Sequence, residues 1–347
     1  MKFLITGHTG FKGAWLVTML SVLGHSVSGI ALDPEEGSLF DISNADRLLE
    51  NDLRGDIRDI SFVKSSIELV QPEVIIHLAA QPIVRVSYDK PQLTMETNVM
   101  GTMNVLTASS AAESLRAVLV VTTDKVYRNV GKRGGYTEDD PLGGVDPYSA
   151  SKAMADILCQ SWGAGLSDVP ILILRAGNVI GGGDRAIDRI VPDLIKGFST
   201  GRPVVLRHPQ SIRPWQHVLD CLNGYLLALD AVLRGMPGSI WNIGPDDQSP
   251  VTVSQIAEMS REIWGFGSVV VDSSKSEGKI ESDYLTLNSS KARTELGWFD
   301  HLLFPESLIW TITWEREVHR GVNPSDITSK QTKDFLEREP RLWSLRS

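Results

Sequence analysis

The chain has 347 residues, of which 42% are hydrophobic and 22% are charged, and its formal net charge is −9. This length and composition are typical of a globular protein with one enlarged domain or two joined ones. The acidic balance argues against a nucleic-acid-binding surface, and no apolar run approaches the ~20 residues of a membrane span. Cys159 and Cys221 show no metal or disulfide spacing, so we expect free thiols, no metal site and a cytoplasmic location.

The first seventy residues alternate between strand and helix patterns. Strands are predicted over residues 3–6, 26–32 and 52–56, and helices over 14–23 and 62–70. A turn with Gly7, Gly10 and Gly13 separates the first strand from the first helix. Glycine lets the backbone bend sharply and lets a pyrophosphate approach the helix amino terminus. The turn therefore predicts dinucleotide binding, although its spacing departs from Gly-x-Gly-x-x-Gly.

Two acids and one base around this turn bear on the choice of dinucleotide. Asp33 ends the second strand, where an acid commonly holds the adenosine 2′-hydroxyl, and this favours NAD. Lys12 lies within the turn and is a signal for NADP, because a basic residue there can meet a 2′-phosphate. Asp56 and Ile57 follow the third strand and are candidates for contact with adenine. We predict NAD.

The alternation continues through the middle of the chain. Strands are predicted over 74–79, 117–123 and 171–175, with a long helix over 94–112 and another over 148–162. This order favours an α/β fold with a Rossmann-type, doubly wound parallel sheet. Beyond it the predicted elements are helices over 187–198, 218–233, 253–264 and 290–296, and strands over 204–207 and 240–244.

These elements predict three regions. Residues 1–175 form an NAD-binding Rossmann domain that also takes in later segments. Residues 176–320 form mainly a smaller, interleaved α/β lobe for substrate binding, and residues 321–347 are a polar C-terminal tail with no predicted element.

Four side chains with acid–base chemistry are predicted to meet at one edge of the sheet. Asp124 and Lys125 follow a buried strand, at the edge where open α/β sheets bind ligands. Tyr148 and Lys152 are four residues apart at the start of a helix, so they share a face. An ammonium beside a phenol lowers its pKa from ~10, which makes Tyr148 a candidate base.

Several motifs together resemble the extended short-chain dehydrogenase/reductase superfamily. They are Thr6-Gly-x-x-Gly-x-x-Gly13, Leu78-Ala79-Ala80, Asn98, Thr123 and Tyr148-x-x-x-Lys152. The narrower resemblance is to nucleotide-sugar 4,6-dehydratases, most closely the CDP-glucose 4,6-dehydratase family. It rests on the stretches Thr6-Gly-His-Thr-Gly-Phe-Lys-Gly13, Ala79-Ala-Gln-Pro82, Thr123-Asp-Lys125, Asp140-Pro-Leu-Gly-Gly144, Arg175-Ala-Gly-Asn-Val-Ile-Gly-Gly-Gly-Asp184, Arg213-Pro-Trp-Gln-His217 and Trp241-Asn242.

Two positions distinguish this chain within the resemblance. Many dehydratases of the dTDP-glucose type carry Glu where this chain has Lys125. Arg185 stands where the family more often has Trp, which leaves the sugar and base preference open.

The resemblance implies a redox-neutral dehydration of a nucleotide-hexose, with CDP-D-glucose favoured. Tyr148 would take the proton of the 4-hydroxyl while hydride passes to NAD, and Thr123 would bind the resulting ketone. Lys152 would keep Tyr148 ionisable and hold the nicotinamide ribose. Lys125 would remove the C5 proton and Asp124 would protonate the departing 6-hydroxyl, after which hydride returns to C6. These last two roles require a raised pKa for Asp124 and a lowered one for Lys125.

The resemblance also implies contact residues and a homodimer. The expected cofactor contacts are Gly7, Thr9, Gly10, Phe11, Lys12, Gly13, Asp33, Asp56, Ile57, Leu78, Ala79, Ala80, Asn98, Thr122, Tyr148 and Lys152. The substrate diphosphate needs cations, and the candidates for the nucleotide-sugar are Gln81, Arg85, Asn178, Arg189, Arg207 and Arg213. The helices predicted over 94–112 and 148–162 are expected to form the dimer interface.

Two other functions stay open from the sequence. A nucleotide-sugar 4-epimerase or decarboxylase would use Tyr148 and Lys152 but has no need of Asp124 and Lys125. A non-catalytic dinucleotide sensor is the third possibility.

Overall fold

The computed structural model describes residues 1–187, 189–206, 208–245, 251–272 and 285–346. Its strands, in chain order, are β1 (Lys2–Thr6), β2 (Ser26–Ala31), β3 (Asn51–Arg54), β4 (Val74–His77), β5 (Ala117–Val121), β6 (Ile171–Ala176), β7 (Val179–Ile180), β8 (Val204–Leu206), β9 (Ile212–Arg213), β10 (Gln216–His217), β11 (Ile240–Ile243), β12 (Val251–Thr252) and β13 (Val269–Val271). Seven of them form the central sheet, in the order β11-β6-β5-β4-β1-β2-β3. Each pairing within it is parallel.

The predicted doubly wound parallel sheet is therefore confirmed. β1 pairs with β2 on one side and β4 on the other, so the strand order reverses there. Ligands of open α/β sheets bind in the crevice at the carboxyl ends of such strands. The glycine turn after β1 and the loop after β4 border this crevice.

The helices are α1 (Phe11–Val22), α2 (Leu39–Ile42), α3 (Ile60–Val70), α4 (Val84–Asp89), α5 (Pro91–Met95), α6 (Gly101–Ser109), α7 (Pro147–Gly165), α8 (Ile190–Thr200), α9 (Val218–Leu233), α10 (Val253–Trp264), α11 (Ser290–Leu296), α12 (Glu306–His319) and α13 (Pro324–Arg338). The predicted bounds of α9, α10 and α11 match the structure. Helix α8 begins three residues later than predicted, at Ile190. Within the described residues, no helix is both long enough and apolar enough to cross a membrane.

The single long helix predicted over 94–112 is wrong. The segment consists of α5, a π-helical turn at Glu96–Met100, and α6. Asn98 lies within this turn, and its amide binds the Gln81 backbone and Ser151. These bonds tie the turn to the loop after β4 and to Ser151 in the segment 147–165, and π-turns frequently lie at functional sites.

Two hydrophobic layers cover the sheet. One face packs on α1, α9 and α13 through a cluster that includes Trp15, Leu226 and Phe335. The other packs on α3, α6 and α7 through residues such as Val63 and Val105. A third cluster joins α8, α10 and α12. It lies in the region predicted as the substrate lobe, whose boundaries stay a prediction.

The polar tail after residue 321 contains an element that the sequence did not predict. Helix α13 begins with Asn323 accepting from Ser325 N, followed by Pro324 at the first position. Phe335 and Leu336 on its inner face are fully buried. Only a few apolar residues define that face, so helical periodicity is weak in the sequence.

Candidate active site

The glycine turn forms a cradle that side chains would fill. Gly7 has φ of +75°, and a Cβ on it would lie 2.7 Å from Ala79 N. A Cβ on Gly13 would lie 2.3 Å from Gly7 O. Gly10 is the N-cap of α1 and is exposed, so the helix amino terminus faces the crevice without a side chain in front of it. This geometry fits a dinucleotide pyrophosphate.

A buried hydrogen-bond chain joins this turn to the end of β4. Thr102 Oγ1 donates to Asn98 O, so His77 Nε2 must donate to Thr102 Oγ1 (2.9 Å). His77 Nδ1 then accepts from Thr6 Oγ1 (2.6 Å), which in turn accepts from Ala79 N. Burial holds the pKa of His77 at about 3, which keeps the ring neutral.

Asp33 and Lys12, the sequence signals for NAD and for NADP, have different environments in the structure. Asp33 is exposed just beyond β2, where the sequence predicts the adenosine ribose. Lys12 Nζ donates instead to Tyr225 OH on α9 (3.3 Å) and lies over the Tyr225 ring. Its ammonium is thus committed to α9, which removes the sequence signal for a 2′-phosphate. Thr9 Oγ1 donates to Leu32 O and fixes the turn against the end of β2.

Asp56 and Ile57, which are predicted to contact adenine, form hydrogen bonds with other residues of the protein. Asp56 is held by its neighbour Arg58, with Nη2–Oδ2 and Nε–Oδ2 distances of 2.6 and 2.9 Å. Ile57 is buried, and its carbonyl accepts from Asn104. Residues 78–80 are half-buried and follow β4 at the crevice. Phe11 is the first residue of α1, and Thr122 directly follows β5, so both border the same crevice.

Tyr148 and Lys152 lie on the first turns of α7, as predicted. Asp146 caps this helix by accepting from Ser149 N, and Ser87 Oγ accepts from Tyr148 N. Lys152 Nζ donates to Val121 O at 2.9 Å, at the end of β5. Burial is the main cause that lowers the pKa of Lys152 to about 8.

The expected lowering of the Tyr148 pKa by Lys152 is not found. Burial raises the pKa of the phenol, because the charged form is poorly solvated. The first group that opposes the rise is the Lys125 ammonium, followed by a hydrogen bond with Thr123. Tyr148 is therefore electrostatically coupled to Lys125 and Asp124.

Thr123, Asp124 and Lys125 form a compact group after β5. Lys125 Nζ lies 3.1 Å from Asp124 Oδ1, and Thr123 Oγ1 donates to the same oxygen at 2.9 Å. The Asp124 side chain is buried, whereas that of Lys125 is one-third exposed. A Cβ on Gly177 would lie 3.5 Å from Asp124 Oδ2, so the loop after β6 also borders the group. The Thr123 hydroxyl is committed to Asp124 here, and its contact with the sugar stays a prediction.

The predicted substrate residues are only partly brought together. Arg189 pairs with Asp184 at 2.9 Å, and its charge is the weakest of the effects that oppose the raised pKa of Tyr148. Asn178 is half-buried between β6 and β7, and Arg85 is exposed on α4. The Gln81 amide is used internally, by Thr94 Oγ1 and Ile83 N.

Two further predictions fall outside what the structure describes. Arg207 lies outside the described residues, and Arg213 belongs to β9, with its side chain outside them.

Sequence reasoning did not identify a buried polar network behind the cluster. It consists of Asp156 on α7, Arg175 on β6, Tyr127 after Lys125, and Asn242 on β11, all at most 2% exposed. Arg175 and Asn242 lie in the stretches that carry the family resemblance, and Asp156 lies four residues after Lys152, but nothing in the sequence shows that these residues meet.

Comparison with known proteins supports the fold and the cofactor. The chain is 38% identical to the CDP-glucose 4,6-dehydratase of Salmonella typhimurium (strain LT2), over 98% of this chain and 97% of the relative. It is 26% identical to the dTDP-glucose 4,6-dehydratase of Haemophilus influenzae, over 90% of this chain and 97% of that one. The crystal structure of a dTDP-glucose 4,6-dehydratase from Streptomyces venezuelae with NAD bound matches with a TM-score of 0.76 and 26% identity, covering 91% of this chain and 97% of that chain.

A solved UDP-glucose 4-epimerase from Thermotoga maritima has the same fold, with a TM-score of 0.80 and 22% identity over 92% of this chain and 99% of that chain. Residues 3–244 match the model of the family described as "NAD dependent epimerase/dehydratase family". The chain belongs to this family, and its cofactor is NAD.

Proposed function

We propose that the protein is a hydro-lyase that converts CDP-D-glucose to its 4-keto-6-deoxy derivative. The observation that carries this proposal is the Asp124–Lys125 ion pair beside Tyr148. A 4-epimerase needs a base for oxidation but no acid–base pair for elimination. Similarity to the Salmonella enzyme along nearly the whole chain supports the choice of the CDP sugar.

Tyr148 is the base for the 4-hydroxyl, and its environment supplies the means to ionise it. When bound, NAD accepts the C4 hydride and later returns it to C6. The Lys125 charge favours the phenolate, against the burial that opposes it. Lys152 is anchored at Val121 O, so its ammonium stays at a fixed position below the crevice.

Asp124 and Lys125 supply an acid and a base through one proton transfer. Passage of a proton from Lys125 Nζ to Asp124 Oδ1, across 3.1 Å, gives a neutral amine and a carboxylic acid. The amine takes the C5 proton of the 4-ketone, the C6–O bond breaks, and the carboxylic acid protonates the departing oxygen to give water. When hydride returns to C6, the Lys125 ammonium gives a proton back to C5. The proton that Tyr148 took from the 4-hydroxyl passes to the Asp124 carboxylate, which restores the starting state of both groups.

The substrate, the assembly and the location complete the proposal. Arg189, Asn178 and the predicted Arg85, Arg207 and Arg213 bind the nucleotide-sugar, with arginine forks suited to phosphate. Gln81 orders the loop after β4 through its bonds with Asn98, Thr94 and Ile83, and so shapes the substrate side of the crevice. The protein is a homodimer, and the buried free thiols of Cys159 and Cys221 support a cytoplasmic enzyme.

Mass spectrometry of products from four nucleotide-glucoses tests the function. The protein is incubated with NAD and the CDP-, dTDP-, GDP- or UDP-glucose. We expect loss of one water from CDP-glucose, and a product with the alkali-induced ultraviolet absorbance of a 4-keto-6-deoxy sugar. Loss of water from none of the four contradicts a dehydratase. Chromatographic separation of a new isomer of equal mass would instead identify the epimerase, and loss of carbon dioxide in a parallel incubation with UDP-glucuronate would identify the decarboxylase.

A further inference from the structure

Two pairs of catalytic side chains must act in sequence on neighbouring sugar atoms. Tyr148 and Lys152 lie on α7, whereas Asp124 and Lys125 lie on the 3₁₀ turn Asp124–Val126. A displacement of ~1 Å between such groups can cost about 100-fold in rate. What holds the turn in register with the helix therefore matters for the second step.

The buried network connects these two elements directly. Arg175 binds Asp156 with both Nε–Oδ2 (2.8 Å) and Nη2–Oδ1 (2.7 Å). Asp156 is on α7, one turn beyond Lys152. The third nitrogen, Arg175 Nη1, donates to Tyr127 OH at 2.8 Å. Tyr127 directly follows the 3₁₀ turn that carries Lys125.

Tyr127 is fixed on every side. Its hydroxyl donates to Asn242 Oδ1 at 2.7 Å, on the edge strand β11. Its ring stacks on Tyr136, with centroids 5.2 Å apart, and the Arg175 guanidinium lies 4.9 Å from its centroid. Burial raises the pKa of the phenol, so it remains a neutral donor. A side chain held this firmly has no freedom to react with a ligand.

We propose that Tyr127 is a positioning residue for elimination: through Arg175 and Asp156 it fixes Asp124 and Lys125 relative to the Tyr148 helix. This inference rests on the proposed dehydratase function. Oxidation uses the base on α7, on which Lys125 acts only through its charge, whereas elimination needs Asp124 and Lys125 placed directly at C6 and C5. Loss of the Tyr127 hydroxyl should thus slow the second step and spare the first.

Tyr127→Phe tests this role because it keeps the stacked ring and the Arg175–Asp156 ion pair. Removing either member of that pair would instead leave a buried charge without its partner and destabilise the fold. The variant is mixed with NAD and CDP-glucose in a single turnover. We expect reduced nicotinamide to form at the normal rate and then to accumulate, with product formation about 10- to 100-fold slower. Uptake of deuterium at C5 from heavy water should slow by the same factor.

Tyr136→Phe is the matched control. Its ring belongs to the same stack, but its hydroxyl binds Asn129 and Val130 N rather than Arg175. We expect normal partition between oxidation and elimination in this variant. If Tyr127→Phe does not fold, Asn242→Ser provides the second arm, since it withdraws the acceptor of the Tyr127 hydroxyl.

The outcomes separate the inference from the function. Normal product formation by Tyr127→Phe, or an equal slowing of both steps, overturns the positioning role. Failure of the unmodified protein to dehydrate any of the four nucleotide-glucoses overturns the function itself.

Discussion

At the scale of single residues, the site depends on which cation lies near which acid. The sequence predicts that Lys152 activates Tyr148, because the two share a helix face. In the structure Lys152 is directed to Val121 O, and Lys125 is the foremost cation acting on the phenol. Lys125 therefore serves both pairs. This double role follows from the path of the chain after β5, which brings the turn back against the start of α7.

Lys125→Ala should stall the reaction after oxidation. Without the amine at C5, reduced nicotinamide accumulates and product formation falls about 10²–10⁴-fold. Because Lys125 also lowers the pKa of Tyr148, the pH profile of the oxidation step should move to higher pH. Stopped-flow absorbance measures both effects. As a control, Lys132→Ala removes an ion pair with Asp140 outside the site and should turn over normally. Normal turnover by Lys125→Ala would disprove the assignment of Lys125 as the base at C5.

Lys152 should make stability depend on alkaline pH. Its pKa is about 8 in the folded protein and 10.5 in the reference state, so the unfolded chain binds more protons between these values. The free energy of unfolding attributable to Lys152 should therefore rise from pH 8 to 10.5, by on the order of 3 kcal/mol, and be constant below pH 8. Urea unfolding of the protein and of Lys152→Met across this pH range measures the effect as a difference between the two slopes of unfolding free energy against pH. Equal slopes would contradict the lowered pKa.

At the scale of elements, the glycine turn works because two backbone segments approach too closely for side chains. Gly13 packs on the Gly7 carbonyl, which places the start of α1 directly behind the bend after β1. Hydrogen bonds from Thr6 through His77 then tie this bend to the end of β4. The cradle for the cofactor is thus held by adjacent strands and the first helix together.

Gly13→Ala and Gly10→Ala should differ in stability. The Cβ at position 13 would lie 2.3 Å from Gly7 O, whereas the one at position 10 comes no closer than 3.4 Å to the same atom. We expect Gly13→Ala to lose ~1–3 kcal/mol by overpacking, and Gly10→Ala to change little. Chemical unfolding without added cofactor measures this directly. Similar losses in both variants would show that the close approach at Gly13 is relieved cheaply.

At the scale of the whole molecule, one surface remains apolar over two helices. Met154 and Ile157 on α7 are about half exposed, as is Met100 in the adjacent π-turn. Met100 lies within the predicted dimer helix 94–112, and Met154 and Ile157 lie within the predicted dimer helix 148–162. Association of two copies through these helices would cover the three side chains. Tyr148 lies at the amino-terminal end of α7 and Met154 and Ile157 lie in its middle, so a dimer would hold in place the helix that carries Tyr148.

Ile157→Glu should dissociate the proposed homodimer. A carboxylate in a buried apolar interface is strongly penalised, whereas on an exposed surface it is tolerated. Sedimentation velocity is expected to show a dimer for the unmodified protein and a monomer for the variant. Leu303→Glu changes an exposed leucine outside these helices and should stay dimeric. A monomeric unmodified protein would refute the interface.

The sequence by itself determined the parallel sheet through the alternation of strand and helix patterns. It also determined the glycine turn and the Tyr148–Lys152 and Asp124–Lys125 pairs, because each of these consists of residues a few positions apart. Local periodicity and motif spacing suffice for such features. Only the tertiary structure revealed that Asn98 sits in a π-turn, that α13 docks on the core through Phe335, and that Arg175 links Asp156 to Tyr127. These contacts join elements far apart in the chain, and their stabilities depend on burial that no local pattern specifies. The register between the two proposed catalytic pairs is therefore a property of packing.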